Sequence, residues 1–222
     1  MTELDGQRVL VIGGGRAIGA AIATRARQAG MDVVIGARDS RTIEGAVHLD
    51  LTDEASIAAA AARIGAVDHV VSLGSDPYGA TIADLDRDRF VAAFETKVIG
   101  PLLVAKHFEI RHSMTLFAGV VGWRPGTGSI VKGITNGAVD FATRHLAANL
   151  APVRVNAIAP GVIDSGAWDG KGEAKPAFLT GAAEQTLVGR YGELDDVVDT
   201  TIWLLRSTYI DGQTIHVDGG RR

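Results

Sequence analysis

Apolar positions along this chain follow two alternating rhythms. Short unbroken runs, many of them rich in β-branched residues, occupy residues 8–12, 32–36, 46–49, 68–73, 114–117, 153–158 and 213–217, and they read as buried strands. Between them the apolar residues recur at three and four. Ile18, Ile22, Ala26 and Ala29 set that spacing in the first helix, which Gly30 stops. Further helices are expected over 52–64, 86–108, 129–150 and 195–206, the second of these kinked at Gly100-Pro101. Thr52-Asp53-Glu54 supplies the polar and acidic start that a helix N-terminus favours. Residues 164–186 show neither rhythm. They are glycine-rich and are expected to form an irregular lid.

Strand followed by helix, repeated along the chain, predicts an α/β fold: a doubly wound parallel sheet of about seven strands in one domain, with helices on both faces. Ligands of such sheets bind outside the carboxyl ends of the strands. Gly13, Arg38, Asp50, Gly74, Ala118 and Pro160 all fall at those ends.

The first of these ends carries the sharpest chemistry. Gly13-Gly14-Gly15-Arg16-Ala17-Ile18-Gly19 joins the first strand to the first helix and places backbone N–H groups and the positive helix end around one point. That arrangement suits a phosphate, and a Cβ in the turn would hold a pyrophosphate away. The same residues also serve as a tight strand-to-helix connection. At the end of the second strand an acid would accept from a ribose 2′-hydroxyl, whereas an arginine neutralises a 2′-phosphate. Ala37 occupies the expected acid position and Arg38 follows it, with Arg16 in reach from the glycine turn. NADP(H) is therefore expected over NAD(H). Asp39 reads equally as a turn residue. Asp50, followed by Leu51, either accepts from the adenine amino group or shapes its own turn.

Composition narrows the remaining classes. No apolar run approaches the ~20 residues of a membrane span, and Met1–Gly6 has neither a basic start nor an apolar signal core, so a cytoplasmic protein without membrane contact is expected. The chain has no cysteine, which removes disulfides and thiolate chemistry, and its six histidines lack paired metal-ligand spacing. A net charge of −4 with scattered arginines speaks against nucleic acid. A small-molecule substrate is expected, and no metal.

With these pieces in place, the sequence resembles the short-chain dehydrogenase/reductase family over nearly its whole length, which implies a Rossmann-type sheet. Three stretches carry the resemblance. Ile12 to Gly19 stands for the family's T-G-x-x-x-G-x-G, with Ile12 for threonine and Ala17 for glycine. Val153-Arg154-Val155-Asn156-Ala157-Ile158-Ala159-Pro160-Gly161 matches V-R-V-N-x-I-x-P-G. Gly212-Gln213 through Val217-Asp218-Gly219-Gly220 matches G-Q-x-x-x-V-D-G-G. The cofactor-binding set this implies is Gly13, Gly15, Arg16, Ala17, Ile18, Gly19, Arg38, Asp50, Leu51, Gly74, Pro160, Gly161 and Ile163. The resemblance also implies a homodimer or homotetramer built on the helices at 86–108 and 129–150.

The family's catalytic positions are occupied differently. Lys132 falls where the family has its tyrosine, Asn136 where it has its lysine, Gly119 where it has serine, and Lys97 where it has asparagine. Hydride transfer to a ketone makes an alkoxide, which needs a proton or an opposing charge. Lys132 is expected to supply it, with Asp164 as a second acid or base and Asn136 beside them; Lys132 and Asp164 also read as a helix-surface residue and a cap. The expected function is an NADP(H)-dependent reductase with a non-standard site, acting on an imine, an iminium or an activated carbonyl. The alternatives are a non-redox cyclase or isomerase, and a nucleotide-binding protein without catalysis.

Overall fold

The computed structural model describes residues 3–76 and 78–222; Met1, Thr2 and Pro77 lie outside the described residues. The strands are β1 (Arg8–Ile12), β2 (Asp32–Ala37), β3 (Val47–His48), β4 (Val67–Ser72), β5 (Ile110–Phe117), β6 (Arg154–Pro160), β7 (Ile163–Asp164), β8 (Gly192–Glu193) and β9 (Thr214–Val217). Seven of them form one sheet in the order β3-β2-β1-β4-β5-β6-β9. Every pairing in it is parallel. The order reverses direction beside β1, between β2 and β4, so a crevice opens above the carboxyl ends of those strands.

Alternation within the strands sends side chains to two cores. Leu10 and Ile12 point to the face covered by α2 (Glu54–Ile64), α4 (Gly100–His107) and α5 (Ile130–Leu150). Val9 and Val11 point to the face covered by α1 (Ala17–Gln28) and α7 (Leu194–Arg206). Both faces are buried, which is why the strands read as continuous apolar runs. Each fully buried Leu or Ile stabilises the fold by roughly 1.5–3 kcal/mol relative to exposure.

Two expectations are corrected. The helix over 86–108 is not one α-helix kinked at Gly100-Pro101. It runs as α3 (Arg87–Phe94), a π turn at Glu95–Ile99, and α4, with Pro101 in the first turn of α4. Pro101 has no N–H for the carbonyl four residues back, that of Lys97, and the chain widens to five-residue bonds just before it. The lid is not irregular either. A 3₁₀ segment at Asp169–Ala174 leads into α6 (Lys175–Glu184), and β7 pairs with β8 at the two ends of this region. Pro176 starts α6 in the manner proline favours. The positive-φ glycines, Gly166 and Gly172, are confined to its approach.

Candidate functional site

The glycine turn follows β1 directly. Gly13 has φ of +85° and hangs on β2 through its N–H to the Gly36 carbonyl at 2.9 Å. A Cβ at Gly15 would lie 2.1 Å from Ile43 Cδ1, and one at Gly19 would lie 2.2 Å from the Gly13 carbonyl oxygen. At Gly19, bare backbone is what lets α1 start this close to β1; at Gly15 only the Ile43 side-chain end stands in the way. No side chain caps that helix and no acid sits in its first turn, so its N–H groups and positive end face open space. Ala17 departs from the glycine the family resemblance implies, and at φ of +48° it is the one positive-φ residue among the described residues that is not glycine. An L-side chain there costs roughly 1 kcal/mol.

A cavity of about 780 Å³ runs from this turn across the strand ends. Its walls include Gly13, Gly15, Arg16, Ala17, Ile18, Gly19, Arg38, Asp50, Leu51, Gly74 and Pro160, so the structure brings these sequence-expected residues together. Gly161 and Ile163 do not line it. They border a separate cavity of about 330 Å³ beside Asp218-Gly219-Gly220. Gly161 serves packing there: its N–H donates to the Val217 carbonyl at 2.9 Å, and a Cβ would meet Asp218 Cα at 2.9 Å.

Within the large cavity the exposed Arg16 and Arg38 side chains have no carboxylate partner among the described residues. Asp50 lines the cavity while its Oδ1 accepts from the Thr52 N–H at 3.0 Å and hydroxyl at 2.9 Å, so its carboxylate shapes the turn after β3. Gly74 lets that wall close. A Cβ on it would lie 2.2 Å from Leu51 Cδ1 and 2.9 Å from the Thr96 carbonyl of the π turn.

The residues expected to be catalytic stand elsewhere. Lys132 is half-buried on α5 and directed toward Gly79, where a Cβ would be 3.7 Å from its Nζ; it does not line the large cavity. Asn136 is buried behind the end of β5. Its Nδ2 would lie 3.1 Å from a Cβ on Gly119, and its Oδ1 has no hydrogen-bond partner. Asp164, also outside the cavity wall, pairs with Lys175 at 2.8 Å, which in turn holds Asp169 at 2.7 Å. These two hydrogen-bonded carboxylates raise the Lys175 pKa above the usual lysine range. Asp164 thereby fastens the lid to β7.

A different lysine enters the cavity. Lys97, from the π turn, lines it together with Phe117, Ala118, Pro160 and the lid residues Ser165 and Ala167. Its Nζ donates to the Ala118 carbonyl at 3.5 Å, a long contact. The cavity leaves part of the side chain accessible, yet protein surrounds the ammonium closely enough that desolvation lowers its pKa to about 8. The family resemblance put Lys97 at the catalytic asparagine position, but the sequence alone assigned it no role; the structure places it on the cavity wall, in the widened turn.

Among the described residues, no helix is long and apolar enough to cross a membrane, and no group of three His, Cys, Asp or Glu residues is placed to hold a metal. Residues 13–222 match a protein-family model described as enoyl-(acyl carrier protein) reductase. The chain is similar to the short-chain dehydrogenase/reductase ATR9 of Stachybotrys chlorohalonatus, with 29% identity over 99% of this chain and 98% of that protein. Among solved structures it is similar to a small-chain dehydrogenase in complex with NADPH (TM-score 0.86, 30% identity, 97% of this chain and 98% of that one). A short chain dehydrogenase from Burkholderia cenocepacia J2315 in complex with NADP gives a TM-score of 0.85 at 26% identity over 99% of each chain. The glycine turn, the parallel sheet order and these matches along the whole length agree: the chain belongs to the short-chain dehydrogenase/reductase family.

Proposed function

We propose that this protein is an NADP(H)-dependent reductase whose substrate is an activated carbonyl, imine or iminium compound, with an active site that departs from the family's usual set. The observation that carries the cofactor reading is the pair of guanidinium groups without a carboxylate partner among the described residues, Arg16 and Arg38, on a cavity wall that begins at the glycine turn. Two similar structures hold NADPH and NADP, which supports the same reading. The cavity volume is in the range of ligand sites, and the glycine turn leaves bare backbone where a pyrophosphate would lie. Bound there, the reduced nicotinamide supplies hydride.

The chain's own residues set the rest. Arg38 and Arg16 oppose the 2′-phosphate, and the first turn of α1 opposes the pyrophosphate. Phe117, Ala118 and Pro160 form an apolar floor at the reacting end, and Ser165 and Ala167 bring the lid over it. Excluding water in this way strengthens every charge in the site. The family resemblance places Lys97 at the asparagine position and Asn136 at the lysine position, so these two residue types stand exchanged between neighbouring helices.

Isothermal calorimetry with NADPH and NADH tests the cofactor reading, which predicts NADPH as the tighter ligand; equal affinities overturn it. We also infer a homodimer or homotetramer. Apolar Ile99 and Leu102 on one helix and Ile134 and Phe141 on α5 are all exposed, the last by 62%, and this supports assembly across those helices. A monomer mass by light scattering at micromolar concentration would rule that out.

A further inference from the structure

We propose that Lys97 is the catalytic acid of this site, giving a proton from Nζ to the substrate oxygen or nitrogen that gains charge as hydride arrives. This rests on the reductase reading above and adds to it the identity of the proton donor. The geometry carries the argument. The π turn carries Lys97 to the wall of the large cavity, with its ammonium beside Ala118. Its one hydrogen-bond partner is the Ala118 carbonyl, 3.5 Å away, which leaves N–H donors free for a ligand.

Nothing nearby neutralises the ammonium. The elements packed on the π turn are α3, α4 and α5. Their charged residues are engaged among themselves or at a distance: Arg87 with Asp88, Lys106 and His107 with Glu54, Arg144 with Asp140, and Arg89 over the Tyr78 ring. Glu95, on the same turn, and Lys132 and His145, on α5, make no ion pair with Lys97. An unpaired cation in a closing cavity attracts the atom on which negative charge develops. Desolvation brings its pKa to about 8, near the pH at which a general acid works best.

For a carbonyl substrate the step balances as follows. The delivered hydride forms the new C–H bond, the C=O π pair moves to oxygen, the Lys97 N–H bond breaks and an O–H bond forms. The products are the alcohol, oxidised cofactor and a neutral lysine amine, which recovers its proton from water.

The test has an arm that does not depend on turnover. Trace acetic anhydride labelling of the whole protein across pH 6–11, read by peptide mass spectrometry, reports each lysine's ionisation. Lys97 is expected to label with a midpoint near 8, well below the ordinary lysine range, and saturating NADPH should reduce its labelling at least tenfold. A Lys97 midpoint in the ordinary lysine range, or labelling unchanged while NADPH fluorescence shows the cofactor bound, overturns the proposal and leaves the reductase reading standing. Absence of NADPH binding overturns the reductase reading instead.

In single turnovers of the NADPH-loaded protein with 2,3-butanedione, a simple activated diketone, and 1-pyrroline, an imine, Lys97→Met is expected to lose at least 100-fold in rate at unchanged NADPH affinity. Lys97→Arg, which keeps the charge but scarcely donates a proton, should not restore it. The parent's rate should fall above pH 8. A variant that loses NADPH affinity but keeps its rate would make Lys97 a cofactor-holding residue and overturn its role as acid; a parent that turns over neither compound would count against the reductase reading.

Discussion

At the glycine-turn end of the cavity the recognition surface is mostly backbone: Gly13, Gly15, Gly19 and the uncapped start of α1. At the opposite end it is a side chain, the Lys97 ammonium, delivered by a distorted helix. The two ends obey different constraints. A backbone cradle fails when a Cβ is added at Gly19, where it would lie 2.2 Å from the Gly13 carbonyl oxygen. A side-chain pole can be exchanged for another without moving the sheet. The cofactor end therefore keeps a pattern that can be read from residue types, while the reacting end is free to differ.

The largest expected effect separates the two ends by stability. Lys97 has a folded-state pKa of about 8 against 10.5 for a free lysine, so the folded protein binds fewer protons than the unfolded chain between those values. Stability then rises with pH through that window, and at neutral pH the buried ammonium lowers it by up to about 3 kcal/mol. Lys97→Met should be more stable than the parent by about that much at pH 7, and the gap should close above pH 10. Urea denaturation at both pH values measures it. A destabilised Lys97→Met would mean the ammonium is structural rather than held in tension for chemistry.

Next comes the guanidinium pair. Arg38→Ala should weaken NADPH by about tenfold while leaving NADH nearly unchanged, as expected from the roughly 1.5 kcal/mol of an exposed charge-assisted contact. Calorimetry of both cofactors on the variant checks this, and an equal loss for each would remove the 2′-phosphate from the account.

A smaller effect belongs to Ala17. Replacing it with glycine relieves a side chain held at positive φ and should raise stability by about 0.5–1 kcal/mol, seen as a rise in Tm. The smallest effect is expected at Lys132. Because it faces Gly79 outside the cavity, Lys132→Met should change the turnover rate by less than twofold, against at least 100-fold for Lys97→Met. A large loss at Lys132 would reverse the assignment and restore the expectation drawn from its place in the sequence.

Much of the fold was legible because its determinants are local. The apolar run at 8–12 and the helical spacing from Ile18 to Ala29 depend only on neighbours in the chain, and β1 and α1 fall where they indicate. The glycine turn and Arg38 were legible for the same reason. The part Lys97 plays was not: the resemblance gave it the asparagine position, but only the structure shows it in a widened turn, with its ammonium partly desolvated beside the Ala118 carbonyl. The positive φ at Ala17 was equally hidden, since alanine gives no sign of such a backbone. In the lid, the glycines masked a helix that Pro176 and the run of Ala and Leu after it support.

The π turn also changes what insertions and deletions can do here. In an unbroken helix one residue gained or lost rotates everything beyond it by about 100°, moving a buried face to solvent. Here the extra residue is absorbed within Glu95–Ile99, while α3 keeps Ala93 inward and α4 keeps Val104 inward. Removing Thr96 would force the helix to choose between keeping α4 in register and aiming Lys97 at the cavity. The widened turn thus ties the register of α4 to the side chain at position 97: a change of length here that kept Val104 packed would re-aim the residue at the reacting end.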